Sequence, residues 1–220
     1  MKGIFQKLIT RRNFVRSSAG LAAGFSLLPI ISMADDDPRP ADEINIIGPR
    51  EGYSTQIGIF VSMLDWMRQS VIRSVNGLTR ADLDFLPDPE ANTIGALLLH
   101  LAATDVIYQD LTFYGLKDFS DANKEKWSVP MGLGDEGRKQ IKGHDLEYYL
   151  SALKEVREKT LAEFKKRDDK RLAEVDPSFF GGKPTNNYCK WFHVCEHEAN
   201  HRGQITVIRK RLPGKKSGND

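Results

Sequence analysis

Residues 191–205 read Trp191-Phe192-His193-Val194-Cys195-Glu196-His197-Glu198-Ala199-Asn200-His201-Arg202-Gly203-Gln204-Ile205 and hold three of the five histidines of the chain. The three stand at successive spacings of four. Residues four apart on an α-helix are offset by about 40° and lie one turn above one another, so this stretch stacks imidazoles along one side of a helix. Val194, Ile205, Ile208 and Leu212 recur through it at helical spacing and define an apolar stripe. At about 100° per residue, His201 falls near the centre of that stripe, His197 about 55° to one side and His193 nearly 100° away. Two imidazoles one turn apart have the spacing needed to ligate one metal ion. His197 and His201 are therefore the expected pair, and the helix that carries them needs other helices to bury its stripe.

Three further helical patterns lie upstream. Ile57, Phe60, Val61, Leu64, Met67, Val71 and Val75 mark a helix over about 54–76, with Ser54 as N-cap and Gly77 as stop. Asn92 or Thr93 caps a second over about 94–114, ended by Gly115. Leu146, Tyr149, Leu150, Leu153, Val156, Leu161 and Phe164 mark a third over about 145–167, and the histidine helix itself runs over about 187–212, before Pro213-Gly214. No strand-like alternation of useful length appears. The expected fold class is all-α, a four-helix bundle with long crossings. The segment 116–144, rich in Gly, Asp and Lys, is expected as a functional loop or flap, with Trp127 and Met131 lining a pocket that reaches the metal.

A third ligand has to come from upstream. The string His197-Glu198-Ala199-Asn200-His201 matches the H-E-x-x-H motif of zinc proteases, but no histidine, and no acid before Asp220, follows His201. Of His100 and His144, the latter sits at a loop edge beside Asp145. His100 flanks the face formed by Leu97, Leu101, Thr104, Tyr108 and Leu111 in the second helix and is the better candidate. Glu198, about 45° from the stripe centre, is the expected catalytic residue, as a base or as a group that orients a ligand.

These residues, a histidine late in an apolar stretch of the second helix and His-x-x-x-His-Arg-Gly-Gln at 197–204, resemble the DinB-like (YfiT-type) superfamily of metalloenzymes over about residues 54–213. The resemblance implies a four-helix bundle with one divalent metal, zinc, nickel or iron, held by His100, His197 and His201. It also implies a small-molecule substrate, with thiol-dependent S-transferases and metal-dependent hydrolases as the chemistries of relatives.

The first 34 residues carry Lys2, Lys7, Arg11, Arg12 and Arg16 and no acid. Thr10-Arg11-Arg12-Asn13-Phe14-Val15-Arg16, a weakly apolar run from Ala19 to Ile31 and the small residues of Ser32-Met33-Ala34 read as a twin-arginine signal peptide cleaved after Ala34. The expected organisation is signal peptide 1–34, extended linker 35–53 that need not pack, bundle 54–213 and disordered tail 214–220. The expected partner is the twin-arginine export machinery, and the expected location is the periplasm or another exported compartment. Without the first 34 residues, 27 cations face 30 anions, which gives no electrostatic reason for a nucleic-acid partner. A homodimer is compatible with the pattern. Cys189 and Cys195, six apart on one helix, are expected as separate thiols.

Thiol-using relatives work where low-molecular-weight thiols are abundant, and the signal peptide directs this chain elsewhere. A metal-dependent hydrolase-like enzyme is therefore the first expectation, thiol S-transfer the second and a non-catalytic metal-binding module the third.

Overall fold

The structure, a computed structural model, describes residues 44–214. The signal peptide, its cleavage site, the first part of the linker and residues 215–220 lie outside the described residues.

Four long helices form the bundle: α1 (Thr55–Val75), α3 (Ile94–Phe113), α6 (Leu146–Lys165) and α8 (Asn187–Lys210). Each agrees with its sequence expectation to within two residues at either end. Four short helices lie between them, α2 (Arg80–Leu83), α4 (Asp121–Gly132), α5 (Gly134–Gln140) and α7 (Asp169–Ala173). An antiparallel pair of two-residue strands, β1 (Val175–Asp176) and β2 (Thr185–Asn186), ties the loop before α8. That tie delivers Asn186, whose side chain accepts the Cys189 N–H as the N-cap of α8.

Helix α3 is the centre of the fold. It packs against α4, α6 and α8, and every residue in it except Ile107 and Leu111 is buried. The single apolar face expected for it is therefore replaced by burial on all sides, as a helix hydrophobic around its circumference requires. The covering on the extra side is α4, in the segment expected to be an irregular flap. Ser120 caps α4, and the buried Asp110 of α3 accepts from Ser120 N–H and Asn123 Nδ2, which moors the start of α4 to α3. Trp127 and Pro130 are its buried residues.

The lead-in also differs from expectation in its described part. A Cβ at Gly58 would lie 2.5 Å from the Arg50 backbone nitrogen, so the chain at 49–50 rests directly on α1 where a side chain is missing. Gly48 N–H donates to Ser62 Oγ and Trp66 Nε1 to Asn45 Oδ1. Ser54 does stand at the N-cap position of α1, but its hydroxyl does not cap the helix. The acceptor for the first turn is Asp169 of α7, which takes the Ser54 hydroxyl and the N–H groups of Gln56 and Ile57.

Candidate metal centre

Between α3 and α8 three imidazoles meet. His197 Nε2 lies 3.2 Å from His100 Nε2 and 3.1 Å from His201 Nε2, and the three ligand atoms all lie within 4.8 Å of one another. Two of the rings come from one side of α8, one turn apart. The third comes from α3 directly opposite.

Each ring is held from behind by a protein oxygen. His100 Nδ1 is 3.0 Å from the Pro130 carbonyl, His201 Nδ1 is 3.1 Å from Gln204 Oε1, and His197 Nδ1 is 3.5 Å from Thr104 Oγ1. The Pro130 carbonyl is free for this because α4 breaks two residues later. Leu133 and Gly134 both take positive φ, 52° and 62°, so Gly134 N–H does not continue the helical ladder to Pro130. Thr104 spends its hydroxyl proton on the His100 carbonyl, 2.9 Å away, which leaves its oxygen to accept from His197.

The proton inventory follows from these partners. Carbonyl oxygens accept only, so His100 and His201 carry their protons on Nδ1 and present bare lone pairs at Nε2. With Thr104 committed to the His100 carbonyl, His197 does the same. Three lone pairs then point at one spot with no hydrogen between them. Moving the His197 proton to Nε2 would serve one of the two short contacts and leave the other repulsive. A cation at the meeting point removes the conflict. Nitrogen ligands about 2.0–2.1 Å from a tetrahedral zinc stand about 3.3 Å apart, close to the 3.2 and 3.1 Å that separate His197 Nε2 from the other two. The donor set therefore fits a divalent metal of the zinc, nickel or iron kind, and the oxygens behind each ring are the groups that orient metal-bound imidazoles.

The electrostatics agree. Burial lowers the pKa of His197 to about 3, with the neighbouring His201, His100 and His193 rings adding to the effect. Burial also lowers His100, against the hydrogen bonds it gives to the backbone of Pro130 and Met131, and lowers His201, against the Gln204 bond. All three rings are neutral near pH 7, the state in which imidazole ligates.

The other histidines stand apart. His193 stacks on His197, with ring centroids 5.4 Å apart, and its Nδ1 lies 2.9 Å from the Tyr108 hydroxyl. His144 stacks on Tyr148. Cys189 and Cys195 are free thiols. Burial and the nearby Glu198 push Cys195 up to about 11, which makes it a packing residue against α1.

Glu198, expected as a base or a ligand-orienting group, lies inside a buried ion cluster. It is 1% exposed, and its Oε1 accepts from Arg68 Nε and Nη2 and from Arg157 Nη2. Arg157 also pairs with Asp105, itself fully buried. Burial disfavours the charge of Asp105, yet the Arg157 and Arg68 guanidiniums outweigh it and hold the carboxyl below its ordinary range. This four-residue ion cluster joins α1, α3, α6 and α8 at the level of the histidines.

A cavity of about 510 Å³ lies between α4 and α6, with Leu99, Trp127 and Pro130 in its lining. None of the three clustered histidines lines it, and Met131 packs into the core instead. This cavity therefore lies apart from the histidines, whereas the sequence led us to expect Trp127 and Met131 together in a pocket that reaches them. Leu99 and the ring of Pro130 face the cavity, while the next residue, His100, and the Pro130 carbonyl serve the metal site.

Fold and site together define a helical-bundle protein with a three-histidine centre of the DinB-like kind. A family model for mycothiol-S-transferases matches residues 59–214, and the chain belongs to that family. No curated protein matches the chain. Among solved structures, a conserved protein from Enterococcus faecalis is similar at a TM-score of 0.55 and 16% identity, over 71% of this chain and 96% of that one. At that identity the likeness concerns the fold.

Proposed function

We propose that the chain is a metal-dependent S-transferase that joins a low-molecular-weight thiol to an electrophilic small molecule, and that it works outside the cytoplasm, which requires a thiol supplied to that compartment. The observation that carries the metal part is the convergence of three acceptor nitrogens, each fixed by its own oxygen partner. Family membership supports thiol transfer over the hydrolysis that sequence alone put first. A bound divalent ion would lower the pKa of a coordinated thiol or water toward neutrality.

The chain's own residues do the rest. His100, His197 and His201 hold the ion as neutral donors, so binding requires no proton loss near pH 7. Pro130, Thr104 and Gln204 keep the Nε2 atoms aimed inward. Glu198 acts through Arg68 and Arg157 by fixing the rotation of α8, and carries no proton in the reaction. In the overall transfer the S–H proton passes to water, the C–S bond forms and the bond to the leaving group breaks with its electron pair.

Export is part of the proposal, supported by the paired Arg11-Arg12 and the small residues ending at Ala34. Replacing both arginines by lysine should strand the precursor in the cytoplasm, and unaffected export would refute this part.

The chemical test is consumption of a free thiol with a fluorogenic alkyl halide. Metal-loaded protein should accelerate it, and chelation or His197→Ala should remove the acceleration. A rate indifferent to both would contradict the transferase, and metal-dependent cleavage of esters without thiol transfer would restore hydrolysis.

A further inference from the structure

The α4–α6 cavity is not used by the proposed chemistry. Its volume of about 510 Å³ lies within the range of small-molecule sites, roughly 300–1,000 Å³. Trp127 and Pro130 give it a buried apolar floor, and the half-exposed Tyr148, steadied by the His144 ring stacked on it, gives it an aromatic wall. The rim carries Asp145, Glu147 and Glu155 against the single base Lys126.

The chain itself shows what this combination accepts. The Lys126 ammonium sits 4.8 Å from the centroid of the Trp127 ring and 3.9 Å from a Glu155 oxygen. Both partners of that ion pair are more than half exposed, 59% and 73%, so the contact is worth little and yields readily to a competitor. Asp145 spends part of its charge on capping α6, through Tyr148 N–H. Glu147, one oxygen of which accepts from the Ser151 hydroxyl, and Glu155, the partner of Lys126, stand at the rim as exposed carboxylates.

We infer that the groove between α4 and α6 binds an organic cation, an ammonium or guanidinium group on an apolar or aromatic body. The body lies on Trp127 and Tyr148, and the charge takes the place of the Lys126 ammonium between the Trp127 face and the carboxylates. An anion of the same shape meets three carboxylates and is excluded. The site does not depend on the metal.

The test is calorimetric titration of the full chain, metal-free and at low salt, with benzyltrimethylammonium as probe and benzyl alcohol and benzenesulfonate as uncharged and anionic comparators. Saturable binding of the cation alone is expected. Binding should weaken about fivefold or more in the Glu147→Gln/Glu155→Gln variant, whose changes lie on the surface and leave the core intact. It should tighten in Lys126→Ala, which vacates the position. Absence of saturable binding, equal binding of benzyl alcohol, or an affinity unchanged by removing the two carboxylates would overturn the inference.

Discussion

At the scale of the residue, the histidines were readable and their supports were not. Spacings of four and the position of one upstream histidine were enough to single out His100, His197 and His201. Gln204 is visible in the motif, but nothing in the sequence says that its Oε1 holds His201 Nδ1. Gln204→Ala should lower metal affinity by about 10–100-fold, the usual cost of losing such a support, while helix content stays the same. Competition with a chromogenic chelator measures it, and unchanged affinity would show that His201 needs no partner. Arg68 and Arg157 did leave a signal: each occupies a position on an otherwise apolar face, beside Leu64 and Val71 in one case and Leu153 and Val156 in the other. A charge placed there implies a buried counter-charge, which is Glu198 together with Asp105. Removing one partner of such a cluster leaves uncompensated charge. Glu198→Ala should cost about 3–5 kcal/mol in urea unfolding, whereas a loss under about 1 kcal/mol would place the residue in a looser role.

At the scale of the element, the four long helices follow from periodicity and caps, and their ends were legible to within two residues. Segment 116–144 was not, because Gly132, Gly134, Gly137, Gly143 and Pro130 are the residues that ordinarily interrupt helices. Here Pro130 and Gly132 lie inside α4, Gly134 and Gly137 lie inside α5, and the break between the two helices at Leu133 releases the carbonyl that holds His100. Shortening the segment should therefore reduce metal binding along with stability, which is the opposite of what a flap would do. The lead-in was misread for a related reason, since its contact with α1 depends on a missing side chain. Gly58→Ala would place a Cβ 2.5 Å from Arg50 N. Trypsin should then cleave after Arg50 markedly faster, with the bundle still folded, and an unchanged cleavage rate would show that the lead-in adjusts without detaching.

For the whole molecule, the cost of assembling three neutral imidazoles should appear as a pH dependence of the metal-free protein. Burial holds all three below their ordinary values, His197 down to about 3. The unfolded chain takes up protons below about pH 6.5 where the folded chain does not, so it binds more protons and stability falls as pH drops. The melting temperature of chelated protein should be flat above about pH 7 and decline below about 6.5, with a shallower decline in His197→Ala. Equal slopes in the two proteins would mean that His197 is not held neutral by the fold.

The central claim, that three histidines from two helices hold one divalent metal, is tested most directly by metal stoichiometry. Elemental mass spectrometry on protein dialysed with zinc, nickel or iron should find one tightly held ion per chain. His100→Ala, His197→Ala and His201→Ala should each lose it, while His193→Ala and His144→Ala keep it. Full retention by the His100 variant, or loss in the His193 variant equal to that in His197, would contradict the account.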